Sequence, residues 1–379
     1  MTAWPPPVWL LAAWPFAASR PTRIDIRKIG KIGKKGKGNK MIRDTMFAPS
    51  FGNRPAYLVG RDALVERFVE GLSAEPGSRD RAVVMLGQRG YGKTVLLWEL
   101  ADRAAAMGYV VAHPTIASSG MLDRIVEKVQ QDGRRYLGSK SVRLANASIG
   151  AFGFSAGLEF TREVQEGKSS QFKLTQLARK LTAEGHGMLI LIDELQANSE
   201  EIRQLVSLYQ ELVGERLNVA LVMAGLPGAV SATLNDKVLT FLNRARKVSL
   251  PPLSLGDVDA YYARAFEELG VCILDGERKR IVKESMGSPY LMQLLGHNVV
   301  VRATDQGQLN GPMIDAAVEA ARADFENDVC GTLLAALSVR GAQFLSAMAR
   351  DEGDSSISAI AERMNVTQDY AQNVPQAFD

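Results

Sequence analysis

The run Gly87-Gln88-Arg89-Gly90-Tyr91-Gly92-Lys93-Thr94 has the residue types and spacing to hold a phosphate chain. It follows the apolar stretch Ala82-Val83-Val84-Met85-Leu86, and a helical pattern begins at Val95. In a strand, glycine loop and helix taken in that order, backbone N–H groups face an anion and the helix dipole favours it. The glycines leave no Cβ in the way of its approach. Lys93 then reaches the β- and γ-phosphates, and the Thr94 hydroxyl ligates Mg²⁺.

The acidic complement comes about a hundred residues later. Met188-Leu189-Ile190-Leu191-Ile192-Asp193-Glu194 is an apolar run ending in two carboxylates, the pattern of a buried parallel strand whose C-terminal end meets a ligand. Asp193 is expected to hold Mg²⁺ through water. Glu194 is placed to orient and deprotonate an attacking water, a general-base role worth about 10²–10⁴ in rate.

These residues need a scaffold, and 379 residues supply enough chain for two or three domains. The apolar fraction of 46% is that of an ordinary globular protein. Cys272 and Cys330 lie far apart and the three histidines, His113, His186 and His297, are scattered, so no His/Cys metal site is signalled. A reducing cytoplasm is the expected location. The net charge of +3 is misleading, because the first 43 residues carry ten Lys/Arg against the single acid Asp25 and the rest of the chain is net acidic. An electrostatic case for nucleic acid must therefore rest on local patches.

Residues 1–45 read as a basic leader. Its apolar part, with Trp4, Trp9 and Trp14, precedes the positive charge, the reverse of a secretory signal, and is too short to span a bilayer. No membrane is expected as a partner. The leader is expected to be disordered, or upstream sequence if translation starts at Met41 or Met46, and to add nothing to the fold. A membrane or nucleic-acid tether is the alternative.

Residues 46–253 alternate strand and helix patterns. Residues 62–72 are spaced for one helix face, and 109–112, 218–223 and 247–250 read as further strands, giving a parallel sheet with helices on both faces. Within 142–160, Phe152, Phe154, Ala156, Leu158 and Phe160 alternate as in a strand. A β-hairpin insert is expected there, either covering a sheet edge or binding a partner. Residues 254–335 carry helical patterns alone. Residues 336–379 have helix-turn-helix spacing, with Asn365-Val366-Thr367 as the tight turn.

Taken together, these features resemble the AAA+ superfamily of P-loop NTPases, closest to the origin-recognition-like and STAND-like prokaryotic ATPases. The resemblance covers about residues 55–375. It implies an α/β P-loop core, a helical lid and a C-terminal winged helix-turn-helix, with ATP and Mg²⁺ as cofactors. Residues Gly87, Gln88, Arg89, Gly90, Tyr91, Gly92, Lys93 and Thr94 match Walker A, and Asp193 and Glu194 match Walker B. Leu58, Val59 and Arg61 fall in a segment that resembles the family's loop that packs on adenine. Arg244 and Arg246, just before the fifth strand, resemble the arginine that senses a neighbouring subunit's γ-phosphate; a solvated basic helix end is the alternative. Pro289 belongs to a lid motif, Gly287-Ser288-Pro289-Tyr290, in which Tyr290 stands where an arginine is frequent.

Two departures shape the functional expectation. The strand after Walker B commonly ends in a polar residue, yet this one ends in Ala224-Gly225, and the lid arginine is missing. Slow hydrolysis is therefore expected, in a conformational or assembly switch that acts with a homo-oligomer or a protein partner. The alternatives are a non-hydrolysing signalling scaffold and an ATP-regulated DNA-binding protein. DNA is the least supported partner: from Val339 onward there are three arginines and no lysine against six acids, and the chain ends without a wing. Ile357, Ile360, Met364 and Val366 are expected to form a small core docked on the lid.

Overall fold

Five apolar runs become the strands of one sheet, interleaved with helices along the chain. In order these are α1 (Asp62–Ser73), β1 (Ala82–Leu86), α2 (Lys93–Ala106), β2 (Tyr109–Ala112), α3 (Met121–Leu137), α4 (Ser170–Ala183), β3 (Gly187–Leu195), α5 (Glu200–Gly214), β4 (Val219–Gly225), α6 (Pro227–Leu234) and β5 (Arg246–Ser249). The computed structural model describes residues 42–50, 53–113, 118–137, 169–237, 239–335, 337–351 and 354–374. The hairpin expected over 142–160 and the leader up to residue 41 lie outside them.

Every pairing in the sheet is parallel, in the order β2-β3-β4-β1-β5. Thus β4 separates the strand feeding the glycine loop from the strand ending in the acids. Alternate residues point to opposite faces. Val84, Val110, Ile190, Ile192, Leu221 and Met223 enter a core closed by α3, α4 and α5. Val83 and Met85 face the other way, toward Leu64 and Phe68 of α1 and Leu96 and Leu100 of α2. With both faces covered, β4 is buried along its whole length, which explains its unbroken apolar sequence. The fifth strand begins one residue earlier than its sequence pattern implied, so Arg246 is a strand residue paired with Val83 rather than part of the preceding turn.

The chain divides into two compact units, Arg61–Pro251 and a second that combines residues up to Gly60 with those from Pro252 onward. The second contains α7 (Leu255–Glu268), α8 (Asp275–Glu284), α9 (Pro289–Arg302) and α10 (Gly311–Phe325), then a π-helical turn (Glu326–Cys330) and α11 (Gly331–Ala335). Ser254, Ser288 and Asn310 cap three of these helices by accepting backbone N–H groups of the first turn. Three further helices follow, α12 (Val339–Met348), α13 (Ile357–Met364) and α14 (Gln368–Asn373). Asn365 makes the expected tight turn in the left-handed region, at φ +56°. Ile357, Ile360, Met364 and Val366 pack with Phe344, Leu345 and Ala371 in the expected small core.

The expectation that residues before Met46 add nothing, and that those from Met46 belong to the α/β core, is corrected. Met46 and Phe47 are buried in the helical unit, and Ile42 packs against the same core. Phe47 sits edge-on to Tyr261 and against Tyr262 and Phe266. It also fills the space over Gly296, where a Cβ would lie 2.1 Å from the Phe47 ring. Asp44 pins the strap: one oxygen accepts the N–H groups of Met46 and Phe47 at 3.0 and 2.9 Å, and the other meets His297 Nδ1 at 2.7 Å. The Ala48 N–H donates to Gln293 Oε1 and the Tyr261 hydroxyl to the Met46 carbonyl.

Asp44→Ala removes the acceptor for all three groups at once. Hydrogen bonds to a charged group are worth about 1.5–3 kcal/mol, so the variant, and a chain truncated to Met46, should unfold earlier in urea or on heating. An unchanged midpoint in both would show that the strap does not stabilise the helical unit.

Candidate nucleotide site

The loop after β1 is built for close approach. Gly90 and Gly92 have φ +81° and +80°, a region that costs other L-residues about 1–2 kcal/mol. Gly92 is also the N-cap of α2 and brings no side chain to the helix end, which leaves first-turn N–H groups for an anion. The Lys93 ammonium folds over the loop and donates to the carbonyls of Gly87 at 2.7 Å and Gln88 at 2.9 Å. Burial pushes its pKa below the ordinary lysine value, Asp193 and Glu194 oppose that shift, and the Arg89 guanidinium reinforces it. Tyr91 is buried within the loop, and burial raises its hydroxyl pKa against the opposing charge of Arg61.

The acids meet this loop because β1, β4 and β3 are consecutive and run the same way, so their C-terminal ends lie at one edge. Asp193 is 6% exposed. Its Oδ2 accepts the Thr94 hydroxyl at 2.5 Å, and its Oδ1 accepts the N–H of Glu194 at 2.9 Å. Glu194 is exposed and left-handed, with φ +53°, at an irregularity in β3 that alternating apolar residues could not announce. One hydroxyl and one carboxylate in contact suit Mg²⁺, which binds through few protein oxygens and keeps several waters. The donor set fits that ion, with Thr94 and Asp193 to hold it.

The other expected residues distribute as follows. Arg61 is buried in the α/β unit, where its guanidinium donates to the Pro251 carbonyl. Leu58, Val59 and Pro289 belong to the helical unit. Val59 packs on that unit's core and Pro289 opens α9. Tyr290, in the arginine position, donates its hydroxyl to Asp328 at 2.7 Å; burial raises its pKa and Asp328 adds to the effect. Arg244 is exposed at the end of a 3₁₀ turn, Thr240–Arg244. Arg246 instead pairs with Asp80 at the N-terminal end of β5, away from the loop end of its own sheet. Asp80 as its partner had no signal in the sequence.

A glycine cradle at the C-terminal edge of a parallel sheet, with a buried acid in contact with its threonine, defines a P-loop NTPase. Residues 57–222 match the AAA ATPase domain family AAA_16, and this part of the chain is similar to an AAA+ domain. The walker-type ATPase PABY2304 of Pyrococcus abyssi has a similar structure, with a TM-score of 0.54 and 16% identity, over 82% of this chain and 85% of that one. The ORC2 protein of Aeropyrum pernix is similar in its ADP form, with a TM-score of 0.54, 17% identity and 87% of each chain covered. In its ADPNP-ADP complexes the values are 0.55 and 17%, over 87% of this chain and 82% of that one. The fold is thus origin-recognition-like. No curated protein gives a significant match.

Gly92→Ala tests the cradle. The left-handed cost of about 1–2 kcal/mol, taken from binding, weakens nucleotide affinity by about 5–30-fold in Kd. Calorimetric titration of ATP measures this, and an unchanged Kd would mean the loop does not hold the phosphates.

Proposed function

We propose that the chain binds ATP with Mg²⁺ on the 87–94 loop and hydrolyses it slowly, as a conformational or assembly switch. The observation that carries this reading is the direct contact of Thr94 with Asp193, beside a lysine folded over the loop carbonyls. When nucleotide binds, Lys93 exchanges those carbonyls for phosphate oxygens, regaining the charge interactions that burial weakens. Mg²⁺ held by Thr94 and Asp193 would neutralise charge developing on the phosphoryl oxygens. Glu194 accepts a proton from the attacking water, and its exposure leaves it open to solvent.

Slow turnover is supported by the end of β4, where Ala224 and Gly225 offer no side-chain donor. Tyr290 stands in place of the lid arginine, and its hydroxyl is engaged by Asp328. The same absences favour the rival reading, a scaffold that retains ATP without hydrolysing it. Arg244 is the better candidate for an arginine supplied to a neighbouring copy, since it is exposed whereas Arg246 is held by Asp80. Among the three C-terminal helices, Arg363 is tied to Asp351 and the Ala347 carbonyl, and Arg340 lies over the Tyr370 ring. Few cations are left to fix a register on phosphates, which ranks DNA last among the partners.

Three substitutions separate the roles. Lys93→Ala should lose tight ATP binding. Glu194→Gln should bind ATP but release phosphate about 10²–10⁴-fold more slowly, and an undiminished rate would remove Glu194 from the mechanism. Arg244→Ala should keep affinity and lose turnover by up to about 10³–10⁵-fold, with specific activity that falls on dilution of the wild type; activity that is flat with concentration contradicts the role in trans.

A further inference from the structure

One glycine touches both halves of the site. The Gly225 carbonyl accepts the N–H of Gly87, the first residue of the cradle, at 3.3 Å. Across the sheet, Gly225 stands opposite Leu195. A Cβ on Gly225 would lie 2.8 Å from the Leu195 Cβ and 3.2 Å from Val230 Cγ2. Leu195 is 3% exposed and Val230 fully buried, so neither can retreat into solvent. Glycine is required here by space.

Leu195 uses that space to restore a broken register. β3 and β4 run in step from Met188 opposite Val219 to Ile192 opposite Met223, and then slip, so that Leu195 pairs with Gly225. Asp193 and Glu194 together face Ala224, a bulge of two residues against one. Glu194 takes the left-handed conformation there and turns its N–H onto the Asp193 carboxylate. A non-glycine residue in that region costs about 1–3 kcal/mol and persists only where its surroundings over-determine it. The seat of Leu195 against Gly225, one residue further on, supplies that constraint.

We propose that Gly225 is a positioning residue: its missing side chain lets Leu195 seat against the end of β4, which fixes the bulge and holds the Glu194 carboxylate at the mouth of the cradle. This rests on the hydrolysis reading above. Any side chain at position 225 must displace Leu195, so a polar group at that position and this bulge exclude each other. The bare strand end is then a condition for placing Glu194.

The test is Gly225→Ala in the full chain, read by crystal structure, ATP affinity and turnover. The bulge should shift, with Glu194 leaving the left-handed region or Leu195 leaving its partner. Misplacement of a catalytic group by about 1 Å can cost about 10²-fold, so kcat should fall by about 10–10²-fold while ATP affinity stays within about twofold. An intact bulge, a wild-type kcat, or equal losses of kcat and affinity would each overturn the proposal. If Gly225→Ala does not fold, Leu195→Ala loosens the same seat from the other side and must show the same split, and a wild-type kcat there is equally fatal. Glu194→Gln run in parallel isolates the underlying reading. If it matches the wild type in phosphate release, hydrolysis by Glu194 fails, and the crystal structure still decides whether Gly225 holds the bulge.

Discussion

The hydrogen bond from Thr94 to Asp193 joins residues 99 positions apart and depends on the order of the strands. Because β4 lies between β1 and β3, the loop after β1 and the acids at the end of β3 must reach past a third strand end to touch. β4 finishes there in two small residues, Ala224 and Gly225, and the space beside Gly225 is taken by Leu195 and Val230.

Left-handed backbone recurs at the C-terminal edge of the sheet. Gly90 and Gly92 take left-handed backbone cheaply, whereas Glu194 takes it at a cost that packing around Leu195 and Val230 must offset. Asn198 and Arg216 are also left-handed in the α/β unit, whose strands alternate faces and whose helices carry serine caps such as Ser199 on α5. The helical unit has its own constraint, since it is completed by residues 42–48, which precede the whole nucleotide-binding unit in the chain.

Much of the architecture was legible because it rests on short-range pattern. Eight residues defined the cradle, five-residue apolar runs marked the strands, and helical spacing gave the lid and the three C-terminal helices. What was not legible depends on pairs distant in sequence. Nothing local to Phe47 shows that Gly296 leaves room for its ring, and a two-residue apolar pair beside a basic stretch looks like linker. Gly225 read as a missing polar group, because its crowding by Leu195 exists only once β3 has slipped against β4. The role of Arg246 was hidden in the same way, since its partner Asp80 is distant in sequence, in the turn just before β1.

The proposed function requires Thr94 and Asp193 to act as one unit in binding Mg²⁺ with ATP. A double-mutant cycle on ATP affinity, with Thr94→Ala, Asp193→Asn and the pair, each measured with and without Mg²⁺, tests that claim. Each single substitution should abolish the Mg²⁺ dependence of affinity, and the double variant should bind no worse than the weaker single one. Losses that simply add, with Mg²⁺ dependence surviving in either single variant, would contradict it.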